Sequence, residues 1–427
     1  MDEIKFETGQ AFAQNLDKKD ALASFRDAFH ISDPDLIYLD GNSLGRLPKA
    51  TAAKLHKAIE EQWGRNLIKA WNTDWYEAPS RIGEKIAQLA GAAPGQIIVS
   101  DSTSVNLFKL ILAAAKLQPN RRRIVSDALN FPSDLYILQG CLNLLGKHYQ
   151  LHLVPSRDGI TINREDLLKA IDEDTAVVSL SHVAFKSGFM YDAELITRHT
   201  HAKGALVLWD LCHSIGAVPV ELDCWEADFA VGCTYKYLNG GPGSPAFLYV
   251  AERLQKKALS PIWGWFSQSA PFSFDLDYQP ADGIHRFMCS TPPVLSLLAI
   301  ESALDPLLQA GIPAIRKKSI LLTSYLIFLF DHILPPYGFK LGSPRDPDIR
   351  GSHVSIQHPE GFRINQALIR DMNVLPDFRE PDNIRLGLAP LYNSFSDIWE
   401  AVDRIRTVME KKIYQKYSEK RVVGRVA

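Results

Sequence analysis

Cysteine, net charge and long apolar runs are scarce in this chain, and each scarcity excludes a class of protein. The 427 residues include five cysteines, none in a C-x-x-C pair or a metal-ligand cluster, which argues against a disulfide framework and predicts no metal site. The formal net charge is −2, from 47 basic and 49 acidic residues. Binding to nucleic acid or to an acidic membrane is therefore not expected to be the main function.

Membrane insertion and export are not expected either. The most apolar window, SILLTSYLIFLF (319–330), is too short for a membrane span and contains polar residues, so it predicts a buried helix. The first residues, MDEIKFETGQ, lack the basic start and the apolar stretch of a signal peptide. We expect a cytoplasmic protein with reduced thiols. The basic residues after Val408 (Lys411, Lys412, Lys416, Lys420, Arg421 and Arg425) are expected to form the solvated end of a helix.

Short apolar runs alternate with helical patterns from about residue 50 to residue 250. Runs such as QIIVS, RRIVSD, TAVVSLS and ALVLWD are each followed by a helical pattern. This alternation predicts an α/β fold with a mostly parallel central sheet covered by helices. Proline-rich segments then separate a long helix from short strands, which predicts a smaller α+β domain. We expect an N-terminal arm (1–40) associated with that small domain, a large domain (41–295) and a small C-terminal domain (296–427).

Polar residues end the predicted strands of the large domain. They are Ser100-Asp101, Ser126-Asp127, Ser181-His182 and Asp210. Ligands of open parallel sheets bind at the carboxyl ends of strands, so these residues are candidates for one shared crevice. The alternative is that strands end in polar turns in any case.

The segment GCTYKYLNGGPGSP (232–245) places Lys236 at the end of an apolar run, before glycines and prolines. Asp210 closes an earlier strand. Pyridoxal phosphate (PLP) needs such a pair, because a lysine amine joins its aldehyde covalently and a carboxylate holds a proton on its pyridine nitrogen. The alternatives are that Asp210 caps the following helix and that Lys236 is solvated. The spacing alone does not decide between them.

A phosphate and a planar ring also need partners. The Ser102-Thr103-Ser104 turn leads into a helix and offers hydroxyls at its positive end, although it is also an ordinary N-cap sequence. Phe131 in NFPSD is a candidate to stack on the ring, or else a core residue. His213 lies either on the cofactor side of the Asp210 turn or in the core.

Seven motifs occur in order and together resemble the kynureninase family. They are YLDGNSLGRLP, NFPSD, WDLCHSIGAVPVEL, TYKYLNGGPGSPAFLYV, GWF, STPP and IRLGLAPLYNSF. The resemblance spans roughly residues 38–397. It implies the fold of the aspartate-aminotransferase-like (fold type I) PLP enzymes and cleavage of kynurenine into anthranilate and alanine, in tryptophan degradation and NAD biosynthesis.

The resemblance also implies roles for individual residues. Lys236 is the covalent lysine, Asp210 the partner of the pyridine nitrogen and Phe131 the stacking ring. Tyr235 lies near the phosphate and is the candidate for proton transfer. The other residues expected around the cofactor are Thr103, Ser104, Asp134, Ser181 and His213.

The substrate and a second subunit complete the implied site. Arg385 matches the arginine that grips the substrate α-carboxylate, which suits a guanidinium fork; the alternative is a surface salt bridge. Trp265 and Thr291 match residues that complete the phosphate site across a dimer interface, so we expect a homodimer with shared active sites. The pocket for the aromatic ketone is expected to contain Asn42, Ser43, Trp71 and Phe266.

Some positions depart from the family pattern. Ala184 and Phe185 stand where many relatives have Asn-Tyr, which changes that wall of the site. Trp71 and Thr291 resemble bacterial forms, whereas animal forms tend to have His and Asn. This favours kynurenine over 3-hydroxykynurenine, with the latter as an additional substrate.

Three other functions compete with this interpretation. A cysteine desulfurase or selenocysteine lyase shares the fold but needs a mobile cysteine near the C-terminal domain, and no cysteine follows Cys289. An aminotransferase shares the Asp and Lys but releases a keto acid. A catalytically silent PLP-binding protein would be indicated by loss of Lys236 or Arg385, and both are present.

Overall fold

The computed structural model describes residues 5–419, so Lys420, Arg421 and Arg425 of the basic tail lie outside the described residues. The β-strands are, in chain order, β1 (Ile37–Tyr38), β2 (Ile97–Val99), β3 (Arg123–Asp127), β4 (Gln150–Val154), β5 (Thr175–Ser181), β6 (Leu206–Asp210), β7 (Phe229–Gly232), β8 (Phe247–Val250), β9 (Lys340–Leu341), β10 (His353–Gln357), β11 (Val374–Leu375), β12 (Asp377–Arg379) and β13 (Asn383–Gly387).

The α-helices surround these strands. They are, in chain order, α1 (Gln10–Lys18), α2 (Lys49–Lys57), α3 (Ala78–Ala90), α4 (Thr103–Leu117), α5 (Pro132–Leu145), α6 (Arg164–Ala170), α7 (Ala193–Ala202), α8 (Glu252–Gln255), α9 (Val294–Ala303), α10 (Asp305–Ala310), α11 (Ile312–Ile333), α12 (Gly361–Asp371) and α13 (Phe395–Glu410). The apolar window 319–330 lies within α11 and is largely buried, as predicted.

The central sheet has seven strands in the order β2-β8-β7-β6-β5-β3-β4. β7, β6, β5, β3 and β4 are paired in parallel, whereas β8 is antiparallel to both of its neighbours. Strands β5, β7 and β8 are buried along their whole length and β6 is buried from Val207 onward, as expected for a sheet covered by helices on both faces. The predicted α/β fold with a mostly parallel sheet is confirmed.

A second, four-stranded antiparallel sheet has the order β12-β13-β10-β9. Its core includes residues of α11, α12 and α13 together with Ala13, Ile37 and Leu39 of the N-terminal region. The same N-terminal region also contributes Leu22 and Phe29 to the core around the central sheet. The division into arm, large domain and small domain stays a prediction.

Among residues 5–419, no single helix is long and apolar enough to cross a membrane. Only α9–α10 and α11 taken together pass that test, across an 80° bend.

His182, directly after β5, makes stability sensitive to acid. Its ring is buried and meets the Trp225 ring edge-on at a centroid distance of 5.0 Å. Burial lowers the pKa of His182 to about 4. Because an unfolded histidine titrates near its ordinary pKa, the unfolded chain takes up this proton first as the pH falls from about 6.5 to 4. The free energy of unfolding therefore falls as the pH drops through this range, and the loss from His182 is about 2 kcal/mol at pH 5.

Urea unfolding at pH 7 and at pH 5 tests this expectation. The His182→Gln variant should lose less stability between the two pH values than the unchanged protein does. The matched control, His148→Gln, alters an exposed ring and should leave the pH dependence as it was. Equal pH dependence in the His182→Gln variant and the unchanged protein would contradict the prediction.

Candidate active site

Lys236 lies in a tight turn after β7, at the edge of the sheet where the parallel strands end. Its Nζ lies 3.2 Å from Nε2 of His213 and 5.8 Å from the centroid of the Phe131 ring. The turn is closed by the Gly240 N–H, which donates to the Thr234 carbonyl at 2.8 Å. A Cβ at Gly240 would come within 2.9 Å of that carbonyl, so the close approach of the backbone to itself requires glycine there.

Asp210 ends β6 and lies in register with Ser181 at the end of β5. The Ser181 Oγ donates to Asp210 Oδ2 at 3.1 Å, and the Cys212 N–H donates to Oδ1 at 2.8 Å. The carboxylate therefore faces the strand ends and also holds the following turn. The two sequence-based interpretations of Asp210 are compatible, because one oxygen supports the turn while the other belongs to the cluster.

Asp134 and His213 complete a buried cluster around Asp210 and Lys236. Burial and the neighbouring Asp210 carboxylate raise the pKa of Asp134 well above its ordinary value, so Asp134 is protonated and donates a hydrogen bond to Asp210. Burial and the Lys236 charge lower the pKa of His213 well below its ordinary value, so its ring is neutral. The cluster combines two carboxyl groups, a neutral imidazole and the Lys236 amine.

Two helix amino ends converge beside this cluster. Ser102 caps α4, its Oγ accepting the Val105 N–H at 3.3 Å. Ser104 Oγ lies 3.2 Å from the Oγ of Ser133 in the first turn of α5, and Thr103 Oγ1 lies 3.8 Å from the Cys212 sulfur. The first N–H groups of a helix have no partner within the helix, and its positive end attracts anions. The arrangement suits a phosphate.

Phe131 presents an aromatic ring to the Lys236 side of the site. The side chain is 38% exposed, so the alternative of a core residue is not what the structure shows. Its ring meets that of Phe185 edge-on at 5.1 Å. An exposed ring beside a cluster of charged groups suits stacking against a planar ligand.

Tyr235 lies next to Lys236 and is half-buried. Its ring centroid lies 6.0 Å from the Lys236 Nζ. Burial raises the pKa of Tyr235 above its ordinary value, so its hydroxyl keeps its proton and can donate it. Its carbonyl accepts the Gly45 N–H at 2.8 Å, which joins the GNSLG loop to the Lys236 turn.

Arg385 lies on β13 and is almost completely buried, which excludes a surface salt bridge. Nη2 donates to Ser43 Oγ at 2.7 Å and to Asp377 Oδ2 at 2.5 Å, and Nη1 donates to the Phe185 carbonyl at 2.7 Å. Its Nε is buried and has no hydrogen-bond partner among the described residues. A buried donor without a partner is costly, and a carboxylate oxygen would satisfy it.

Asp377 and Asp40 belong to this arginine cluster, and the sequence patterns did not single them out. Asp377 faces Arg385 across β12 and β13 and also pairs with Arg379 Nη2 at 2.7 Å. Burial and the Asp377 charge raise the pKa of Asp40 to about 6. Strand alternation puts Asp377 on one face of a short hairpin, but no local signal shows which arginine it meets.

Asn42 precedes Ser43 and is fully buried. Both polar atoms of its side-chain amide lack partners among the described residues. The amide packs against Gly387, where any Cβ would overlap it. Its unused donor and acceptor are consistent with a ligand contact.

The other four residues that the sequence assigned to the site lie apart from this cluster within one chain. They are Trp71, Phe266, Trp265 and Thr291. The Phe266 ring lies 5.7 Å from the Trp71 ring and 5.2 Å from the Trp265 ring. No hydrogen bond, ion pair or ring contact among residues 5–419 joins any of the four to Lys236, Asp210 or Arg385. Trp265 and Thr291 are exposed. Their contributions to the site stay predictions.

Comparison with known sequences identifies similar proteins. The family model described as the kynureninase C-terminal domain matches residues 315–405. A kynureninase of Pseudomonas fluorescens is 44% identical over 404 residues, which cover 93% of this chain and 95% of the relative. A kynureninase of Burkholderia pseudomallei strain 1106a is 43% identical over 405 residues, with 94% and 95% covered.

Comparison with solved structures shows the fold. An apo cysteine desulfurase of Thermococcus onnurineus NA1 superimposes with a TM-score of 0.79 at 17% identity, covering 91% of this chain and 98% of that chain. A variant of the C-DES protein with glycine covalently linked to its PLP cofactor has a TM-score of 0.75 at 17% identity, with 87% and 97% covered.

Proposed function

This chain belongs to the kynureninase family, and on that premise we propose how its residues perform the reaction. The protein is a PLP-dependent hydrolase that cleaves the Cβ–Cγ bond of L-kynurenine and releases anthranilate and L-alanine. The observation that carries this conclusion is 44% identity to a kynureninase over nearly the full length of both chains. We place the activity in the cytoplasm, in tryptophan degradation and NAD biosynthesis.

The residues at the sheet edge fit PLP. When PLP is bound, Thr103 and Ser104 at the amino end of α4 would hold the phosphate, and Phe131 would stack on the ring. Lys236 would hold the aldehyde covalently, and the Asp210 carboxylate would face the pyridine nitrogen and keep a proton on it. When bound, PLP supplies an electron-accepting ring that stabilises negative charge on substrate carbon atoms. The buried cluster of Asp210, neutral Asp134 and neutral His213 supports this role, because it leaves one carboxylate to face a cationic ring.

Lys236 also moves a proton. When PLP is bound, its Nζ would remove the proton from Cα of the substrate and hold it for a later return. His213 accepts a hydrogen bond from this amine at 3.2 Å, and because its ring is neutral it orients the amine without adding a second positive charge.

Tyr235 is the proton donor for the carbon that becomes the methyl group of alanine. Its hydroxyl keeps its proton through the neutral pH range because burial raises its pKa. Its position beside Lys236 places the two proton-transfer groups on neighbouring residues. Addition of water to the γ-ketone precedes bond cleavage and releases the aromatic product as a carboxylate.

Arg385 binds the α-carboxylate of the substrate. The free Nε–H supports this role, and the Ser43 hydroxyl lies next to the guanidinium. Asp377 holds the arginine in place from β12. Asn42, with both amide atoms unpartnered, is proposed to contact the substrate beside Ser43.

The active unit is a homodimer in which each site uses residues of both subunits. An exposed aromatic surface supports association: Trp263, Phe272, Phe274 and Leu276 are at least 60% exposed, and Trp265 lies among them. Exposed apolar patches of this kind mark interfaces. Trp265 and Thr291 of one subunit complete the phosphate site of the other, and Trp71 with Phe266 faces the aromatic ketone. Kynurenine is the preferred substrate, and 3-hydroxykynurenine is a second one.

One assay tests the function. Purified protein with PLP and L-kynurenine should produce anthranilate, followed by its fluorescence, and alanine in equal amount. An aminotransferase would instead consume a keto acid acceptor and form no anthranilate, which would contradict the proposal. A cysteine desulfurase would release sulfur from cysteine, and the absence of any cysteine after Cys289 argues against it.

A further inference from the structure

Lys109 is a buried charge that the proposed reaction does not use. It lies on α4, six residues after Thr103, and its side chain has no exposed surface. Its Nζ donates to Asp101 Oδ2 at 2.8 Å and to the Phe287 carbonyl at 2.6 Å. Burying an ammonium group costs several kcal/mol unless it is paired and hydrogen-bonded. These two contacts join parts of the chain that are far apart in sequence.

The first contact holds the turn that precedes the phosphate-binding residues. Asp101 has a φ of +54°, in the left-handed region that non-glycine residues rarely adopt. Its carboxylate also accepts the Ser100 hydroxyl at 2.8 Å. Burial works against the charged form, but Lys109 holds the pKa of Asp101 below its ordinary value. An ionised Asp101 is therefore tied to Lys109 directly before Ser102 and Thr103.

The second contact holds the segment that ends at Thr291. Phe287, whose carbonyl accepts from Lys109, begins this segment, and the Cys289 thiol in its middle hydrogen-bonds to the Asp101 carboxylate. The Cys289 carbonyl packs so closely against Gly264 that no Cβ would fit there. Trp265 follows Gly264 directly. Both Trp265 and Thr291 thus depend on a packing arrangement fixed by Lys109 and Asp101.

We propose that Lys109 is a positioning residue that holds Trp265 and Thr291 in the geometry that completes the phosphate site of the second subunit. Its contact with Asp101 also holds the phosphate turn of its own subunit, so the ion pair couples the two cofactor sites of a dimer. This inference rests on the proposed homodimer with shared sites.

The first experiment compares Lys109→Met with a matched variant, Lys318→Met. Lys318 pairs with Asp20 at 2.6 Å, and its side chain is almost as buried as that of Lys109, but the pair belongs to the packing of the N-terminal arm. Both variants should lower the midpoint of thermal unfolding of the apoprotein, because each leaves a partly buried carboxylate without its ammonium partner. Only Lys109→Met should raise the Kd for PLP, by about tenfold or more, as expected when a charged hydrogen bond no longer positions a binding group.

The proposal would be overturned if the Lys109→Met protein bound PLP at least as tightly as the Lys318→Met protein does. If Lys109→Met does not fold, Asp101→Asn decides in its place. This variant keeps the size of the side chain, removes the charge that Lys109 holds and is expected to weaken PLP binding in the same way. Unchanged PLP affinity in Asp101→Asn would be equally decisive against it.

Mixed dimers test whether the effect crosses the interface. Two differently tagged chains are combined, one of them carrying Lys236→Ala, so that only the other subunit gives the absorbance of covalently bound PLP. Adding Lys109→Met to the Lys236→Ala chain should weaken PLP binding at the reporting site by about tenfold, although that site has its own intact Lys109. Unchanged PLP affinity at the reporting site would exclude coupling between the two cofactor sites. A monomeric unchanged protein in analytical ultracentrifugation would instead remove the dimer on which the inference rests, without affecting the anthranilate assay.

Discussion

Replacing Lys236 with alanine is expected to lower the turnover of L-kynurenine by at least about 10⁴-fold, since the residue serves as both covalent partner and proton-transfer group. The same change should remove the absorbance that PLP shows when it is joined to a lysine. Steady-state kinetics by anthranilate fluorescence and a spectrum of the protein reconstituted with PLP measure the two effects. Both follow from the position of Nζ beside His213 and the Phe131 ring.

A matched control separates the chemistry from loss of charge or fold. Lys257→Ala removes an exposed lysine of the same domain and should leave turnover and absorbance unchanged. Small primary amines added to the Lys236→Ala protein should restore part of the turnover, because they can supply the missing proton acceptor. Near-normal turnover of the Lys236→Ala protein without added amine would refute the assignment.

The polar residues at the carboxyl edge of the sheet were predictable because short stretches of sequence are enough to recognise them. The parallel strands β3, β5 and β6 are apolar runs that end in polar residues, and the carboxyl ends of parallel strands lie at one edge. The structure pairs Ser181 with Asp210 across β5 and β6 and brings Lys236 to the same edge. Ser100, which follows β2, lies at the same edge because β2 is antiparallel to β8, which is itself antiparallel to β7.

The arginine cluster was predictable only in part. Arg385 itself was expected to bind the carboxylate from the family resemblance, but its partners come from distant parts of the chain. Ser43 lies 342 positions away, and the Phe185 carbonyl lies 200 positions away. Contacts of this kind depend on how the second sheet packs against the first, and periodicity carries no information about that packing. Lys109 is a similar case, because a helix apolar nearly all round predicts deep packing but not the partner of its buried lysine.

Phe185 shows how one segment links the two halves of the site. Its carbonyl accepts from Arg385 and its ring contacts Phe131, so the same residue touches the proposed carboxylate site and the proposed stacking ring. The sequence marked this position only as a departure from the family pattern. The structure gives it a physical meaning: a substitution at Phe185 would alter ring contacts while the backbone contact to Arg385 remains.

Replacing Arg385 with lysine is expected to lower kcat/KM for L-kynurenine by about 10–100-fold, mainly through KM, because lysine keeps the charge but not the fork that binds a carboxylate. The buried Nε–H is the donor that lysine cannot replace. Lysine still offers Asp377 a cation, so the loss of stability should be modest compared with removal of the charge.

The analogue of kynurenine that lacks the α-carboxylate identifies the group that Arg385 recognises. Its inhibition constant should be nearly the same for the unchanged protein and the Arg385→Lys variant, whereas binding of kynurenine weakens. Arg350→Lys is the matched control, since Arg350 is equally buried but donates to the carbonyl of Pro344 and to the hydroxyls of Thr323 and Ser324. It should reduce stability without changing KM. If the analogue and kynurenine lose affinity equally in Arg385→Lys, the arginine acts through packing of the second sheet, and the substrate carboxylate binds elsewhere.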